Sequence, residues 1–81
     1  MSTSKVEFNP SATDVEIDEY ALKVVLADGR ELSIPLAWFP KLCGATPEQR
    51  ANWRMIGRGE GVHWPDLDED VSVAGLLGLP D

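Results

Sequence analysis

The sequence predicts an α+β fold: a small antiparallel β-meander of three to four strands, packed against one main helix and a short C-terminal helix. Two observations predict it. Apolar and polar residues alternate with a period of two across residues 14–34, a pattern typical of half-buried strands. Residues 46–49 (TPEQ) then have the form of a helix N-terminus. A chain of 81 residues is long enough to bury the hydrophobic core of one domain only. We expect residues 1–12 to be a flexible N-terminal arm and residues 13–81 to be a single α+β domain.

The alternating residues predict three strands with a defined register. Aliphatic side chains from the three segments are expected to share one face: Val15, Ile17, Leu22, Val24, Leu26, Leu32 and Ile34. A two-residue Asp-Gly turn would mix the faces, whereas a three-residue loop at 27–29, with Gly29 in a left-handed conformation, pairs Val24 with Leu32. A four-residue connection at 18–21 likewise sets Val15 opposite Val24.

The middle of the chain is predicted to hold one helical turn and the main helix. Residues 36–39, which lie between two prolines, should form one turn that lays Trp38 or Phe39 over the core. Thr46 is the expected N-cap of a main helix over residues 47–56, and Gly57 is its expected C-cap.

The last third of the chain offers a short strand and a short helix. Residues 62–64 could add a fourth strand in which His63 faces away from Val62 and Trp64. Asp70 or Ser72 is the expected N-cap of the final helix, although Val71 could equally prolong an extended segment.

Charge and composition limit the functional classes. The formal net charge is −7, which argues against general affinity for nucleic acid, since that affinity comes mostly from lysine and arginine. No apolar run reaches the ~20 residues that span a bilayer. The one cysteine, Cys43, cannot form an internal disulfide, which fits a reducing compartment. We therefore expect a cytoplasmic protein that does not bind membranes.

Three segments together carry a resemblance to a known family. They are DGRELSIPLAWFPKL, ATPEQRANWRMIG and GEGVHWPDLDEDVSVAGLL. In this order they resemble the domain-of-unknown-function family 2442, which consists of small prokaryotic proteins. The resemblance implies an α+β fold with a small antiparallel sheet. It also implies an association with toxin–antitoxin-like modules, and it brings no catalytic or cofactor residues.

The acidic segment near residue 66 has the spacing of a calcium loop without its other ligands. Asp66, Asp68 and Asp70 follow D-x-D-x-D, but Val71 and Leu77 stand where an EF-hand needs glycine and glutamate. We predict instead an acidic turn at a helix N-terminus. His63 is expected to be a strand residue hydrogen-bonded to Asp66 or Asp68. No cofactor, metal ligand or catalytic residue is assigned, and the chain is predicted not to be an enzyme.

The leading prediction is a non-enzymatic protein-interaction module, the antitoxin-like partner in a two-protein system. Aromatic and arginine side chains are common anchors of protein interfaces. The candidate partner-binding residues are Trp38, Phe39, Arg50, Trp53, Arg54, His63, Trp64, Asp66, Asp68 and Asp70. The expected partner is another protein, or a second copy in a homodimer.

Two alternatives from other classes remain open. A dimeric transcriptional regulator would meet DNA through four basic residues: Lys41, Arg50, Arg54 and Arg58. A metal-dependent enzyme would use His63 together with the three aspartates of the 66–70 segment.

Overall fold

The computed structural model describes residues 8–78, which fold into two antiparallel sheets and a few short helices. The first sheet has the order β1-β2-β3 and the second has the order β4-β5-β6. The strands are β1 (Ala12–Ile17), β2 (Ala21–Leu26), β3 (Glu31–Pro35), β4 (Arg54–Ile56), β5 (Gly61–Trp64) and β6 (Glu69–Ser72). A 3-10 turn (Leu36–Trp38) and the helices α1 (Pro40–Cys43) and α2 (Pro47–Ala51) connect the sheets, and α3 (Val73–Leu76) follows β6. The α+β class is confirmed. The strands of residues 8–78 form two sheets of three, however, and not the single sheet of three to four strands that was predicted.

The first sheet has the predicted residue pairs. Val15 lies opposite Val24, and Val24 lies opposite Leu32. Gly29 has a φ of 93°, and the N–H of Leu26 donates to the carbonyl of Arg30 at 2.8 Å, which closes a three-residue loop. Of the seven aliphatic side chains assigned to one face, five are buried, and the other two, Ile17 and Leu32, pack against the core.

The predicted main helix is the largest departure. Its N-terminal capping box is present, since the Gln49 N–H donates to Thr46 Oγ1 at 3.1 Å and the Thr46 N–H donates to Gln49 Oε1 at 3.0 Å. The helix nevertheless ends at Ala51, and the following residues form β4. Strand pairing with β5 half-buries Met55 against the core, so a helix over residues 47–56 with its cap at Gly57 is wrong.

The N-terminal segment enters the fold earlier than predicted. The Asn9 N–H donates to Asp28 Oδ2 at 2.8 Å, and Ala27 donates its N–H to the carbonyl of Ser11 at 2.8 Å. The side chain of Ala12 is buried. Residues 9–12 are therefore bound to the β2–β3 loop and to the core, while the rest of the predicted arm, residues 1–7, lies outside the described residues.

One apolar core joins the two sheets. Its buried members are Ala12, Val15, Leu22, Val24, Leu26, Leu36, Leu42, Val62, Trp64, Val71 and Val73. Backbone hydrogen bonds reinforce it, because the Ala12 N–H donates to the Gly59 carbonyl at 2.7 Å and the Val73 N–H donates to the Glu60 carbonyl at 3.0 Å. Ser72, one of the two residues predicted as the N-cap, caps α3 by accepting the N–H of Gly75.

Asp28 anchors the β2–β3 loop through its carboxylate. The Arg30 side chain donates to both carboxylate oxygens at 3.0 and 3.1 Å. This interaction lowers the pKa of Asp28 to about 2, the N–H groups of Arg30 and Asn9 lower it further, and burial acts in the opposite direction. The ionised form of Asp28 is therefore more stable in the folded protein than in the unfolded chain.

Asp28→Asn should change how the free energy of unfolding depends on pH. Because the folded pKa lies below the unfolded value, the stabilisation by Asp28 is fully present above about pH 4 and is lost as the pH falls through about 2. We expect the variant to be less stable than the wild type at pH 7 and the difference to shrink towards pH 2. Urea unfolding followed by circular dichroism at both pH values measures it. A constant difference across this range would contradict the assigned role.

Candidate functional site

Two adjacent candidate aromatics, Trp38 and Phe39, have opposite environments. The 3-10 turn begins after Pro35 and α1 begins at Pro40, and the buried side chains of Leu36 and Leu42 anchor both elements. With these two leucines pointing inwards, Trp38 points outwards and is 67% exposed, whereas Phe39 packs against the core. Trp38 is therefore the member of the pair that is available to a partner.

Tyr20 is an exposed aromatic that sequence reasoning did not select. It is 80% exposed in the β1–β2 turn, and its carbonyl accepts the N–H of Leu36 at 2.9 Å. This bond ties the turn to the segment that carries Trp38. We call Tyr20 and Trp38 together the aromatic surface. A signal was available, because Tyr20 lies in a predicted turn, outside the alternation that predicts burial.

Arg50 and Trp64 have structural roles. The Arg50 side chain donates through Nε to the Leu42 carbonyl at 2.9 Å and through Nη2 to the Cys43 carbonyl at 3.0 Å, at the C-terminal end of α1. The backbone carbonyl of Arg50 accepts the indole N–H of Trp64 at 3.0 Å. Trp64 is completely buried, so its assignment to a partner-binding surface is wrong.

His63 pairs with a different aspartate from the two that were predicted. It lies on β5 between Arg54 of β4 and Asp70 of β6, and its Nδ1 is hydrogen-bonded to Asp70 Oδ1. Asp70 is its direct cross-strand partner, whereas Asp66 and Asp68 lie in the turn that joins β5 to β6. The prediction of a bond to either of these two is wrong, because strand pairing places Asp70 closest.

The acidic segment forms a hairpin turn and is bound to other parts of the chain. Asn52 Nδ2 donates to Asp66 Oδ2 at 3.0 Å, and Lys41 Nζ donates to the backbone carbonyl of Asp68 at 3.1 Å. Because residues 65–68 connect two strands, the predicted acidic turn at a helix N-terminus is wrong. Within residues 8–78, no three His, Cys, Asp or Glu side chains meet in an arrangement that could hold a metal ion.

A groove opens between the first hairpin and the α2 segment, and we call it the β1 groove. Its volume is about 540 Å³. The first hairpin contributes Val15, Glu16, Ile17, Asp18, Glu19 and Lys23, and the α2 segment contributes Pro47, Arg50, Ala51 and Trp53. Trp53 therefore lines the β1 groove. Arg54, His63 and Asp70 lie on the second sheet, and Asp66 and Asp68 lie in its hairpin turn.

The Asp18 carboxylate at this groove makes local bonds. Asp18 accepts the backbone N–H groups of Tyr20 and Ala21 at 2.7 and 2.8 Å, and these bonds lower its pKa. Lys23 Nζ lies 3.5 Å from Asp18 Oδ2 and also favours the ionised form. Asp18 therefore serves to shape the β1–β2 turn.

Fold and surface together define a small α+β domain of two three-stranded antiparallel sheets, with an exposed aromatic surface formed by the β1–β2 turn and the 3-10 turn that follows β3. The chain belongs to the family described as protein of unknown function (DUF2442), whose profile matches residues 12–79. The family resemblance read from the three sequence segments is confirmed.

Two solved structures are similar to this chain. A protein of unknown function from Rhodospirillum rubrum, solved by crystallography, is 30% identical with a TM-score of 0.70 over 85% of this chain and 87% of that chain. An uncharacterised protein from Chromobacterium violaceum, solved by solution NMR, is 34% identical with a TM-score of 0.70 over 84% of this chain. The match covers 64% of that second protein, so this chain spans less than two thirds of its length.

Comparison with curated proteins found no match. Within the described part of the chain, no helix has the length and apolar character that crossing a bilayer requires.

Proposed function

We propose that this chain is a non-enzymatic protein-interaction module, the acidic member of a two-protein system. The observation that carries the proposal is the aromatic surface: in so small a domain, Trp38 and Tyr20 remain 67% and 80% exposed. Large aromatic side chains contribute much of the binding energy at protein interfaces, because a partner can bury them completely.

Charge supports a partner of opposite sign. The net charge of −7 repels other acidic proteins and speeds encounter with basic ones. Among the four basic residues assigned to DNA contact, Arg50 and Lys41 donate to backbone carbonyls of the chain itself, which weakens the regulator alternative. For the metal-enzyme alternative, His63 and Asp70 pair with each other without a third ligand among residues 8–78.

Photo-crosslinking from the aromatic surface tests the proposal. A benzoylphenylalanine is placed at Trp38 in the full chain, which is expressed in its own organism, and a matched chain carries it at Glu48, an exposed position on α2. We expect one discrete partner protein, identified by mass spectrometry, from position 38 and not from position 48.

The purified partner then allows a quantitative check. Trp38→Ser should weaken binding by about 30-fold, corresponding to about 2 kcal/mol for an interface anchor. Equal crosslinking from both positions, crosslinking only to a second copy of the chain, or unchanged affinity of the variant would contradict the proposal.

A further inference from the structure

The outer edge of β1 has backbone groups without partners. In an antiparallel pair, hydrogen-bonded and non-hydrogen-bonded residue pairs alternate. The Asp18 N–H donates to the Ala21 carbonyl at 3.1 Å, so Glu16 and Lys23 form the next bonded pair, and Val15 and Ile17 direct their backbone groups outwards. β1 is an edge strand, and among residues 8–78 nothing pairs with the N–H and C=O of Ile17 or the C=O of Val15.

The edge is partly blocked at its N-terminal end only. Asp14 Oδ1 accepts the N–H of Val15 at 2.9 Å, which removes that donor from the edge. The remaining three groups belong to residues that line the β1 groove, and Trp53 is part of the same lining. An extended chain placed along this edge would therefore have both backbone partners and an apolar surface beside it.

Two carboxylates at the groove are free to pair with a basic ligand. Lys23 is paired with Asp18, and the guanidinium of Arg50 is bonded to backbone carbonyls. Glu16 and Glu19, by contrast, make no ion pair or side-chain hydrogen bond with any described residue. A second copy of β1 would bring another Glu16 and Glu19 to the same place, and like charges disfavour that pairing.

We propose that the β1 groove binds an extended, basic segment of the partner protein, which adds a fourth strand to the first sheet along β1. Backbone hydrogen bonds to Ile17 and Val15 provide affinity, an apolar side chain packs on Trp53, and lysine or arginine side chains pair with Glu16 and Glu19. This inference rests on the proposed function and names the chemistry of the partner segment.

The test uses peptides of defined chemistry and the ¹⁵N-labelled full chain. The probe is a capped heptapeptide of alternating lysine and valine, and the controls are its glutamate counterpart and the same lysine peptide with N-methylated valines. We expect the lysine peptide alone to shift the backbone amides of Val15 and Ile17 and the indole N–H of Trp53. N-methylation should abolish the shifts, because it removes the donors that strand addition needs.

A matched pair of protein variants checks the charge contribution. Glu16→Gln on β1 should weaken binding of the lysine peptide by about twofold to fivefold, while Glu31→Gln, on the opposite edge strand, should leave it unchanged. Spectra of both variants without peptide verify their folds. Binding of the glutamate peptide, binding of the N-methylated peptide, shifts outside the groove, or no shifts at millimolar peptide would each overturn the inference.

The two experiments distinguish failure of the strand-addition inference from failure of the proposed function. If position 38 crosslinks to a partner while the groove ignores the lysine peptide, the proposed function stands and the strand-addition inference falls. If neither experiment succeeds, both fall.

Discussion

Gly59→Ala is expected to remove more than half of the protein's free energy of unfolding. Gly59 is buried with a φ of 90°, and an added Cβ would lie 2.5 Å from the carbonyl oxygen and 2.7 Å from the nitrogen of Ala12. Both obstacles are backbone atoms of β1, and the Gly59 carbonyl already accepts the Ala12 N–H at 2.7 Å. Backbone strain and overpacking together should cost about 3 kcal/mol or more, a large share of the roughly 5 kcal/mol expected for a domain of this size.

Gly29→Ala is the matched control for this prediction. Gly29 has nearly the same φ, 93°, but an added Cβ would meet no atom within 4 Å. It should therefore cost only the backbone term of about 1–2 kcal/mol. Urea unfolding followed by far-UV circular dichroism measures both. Equal losses in the two variants would show that contact between Gly59 and β1 does not hold the two sheets together.

The first sheet could be predicted from the sequence because its constraints are local. A period of two fixes which side chains face inwards, and between a two-residue and a three-residue loop joining β2 to β3, only the three-residue loop keeps them on the same face. Gly29 then supplies the positive φ that this loop requires. Nothing in this reasoning depends on residues distant in the chain.

Apart from the strand predicted at residues 62–64, the second sheet was missed, because its defining contacts are not local. Residues 53–56 fit a helix that continues from the Thr46 capping box, yet Trp53, Arg54 and Met55 also alternate between half-buried and exposed positions. Pairing between Met55 and Val62 decides between these patterns, and it forms only once the turn at residues 57–60 brings β5 back. Propensity within the segment could not weigh that contact.

The candidate surface was predicted only in part, again because contacts between distant residues decide which side chains are exposed. The surplus of aromatic residues indicated that some would be exposed, and Trp38 is. Which ring of the Trp38–Phe39 pair points outwards depends on how Leu36 and Leu42 anchor the turn, and this is a tertiary property. The edge of β1 was also beyond sequence reasoning, because its position at the edge depends on the pairing of all the other strands among residues 8–78.

Trp64→Ala should destabilise the protein by about 4 kcal/mol, because it creates a cavity and removes a hydrogen-bond donor from the core. Among residues 8–78, Trp64 is the largest fully buried side chain, and its indole N–H donates to the Arg50 carbonyl at 3.0 Å. It therefore connects β5 to α2, whose Arg50 side chain in turn binds the end of α1. The urea midpoint and the thermal midpoint should both fall sharply.

Trp38→Ala is the matched control, since it removes the same side chain from the aromatic surface. With 67% of Trp38 exposed, its loss should change stability by less than about 0.5 kcal/mol. The two variants thus separate the tryptophan that holds the fold from the one left for a partner. A stability loss at Trp38 as large as that at Trp64 would mean that Trp38 belongs to the core, and the proposed interaction surface would lose its main anchor.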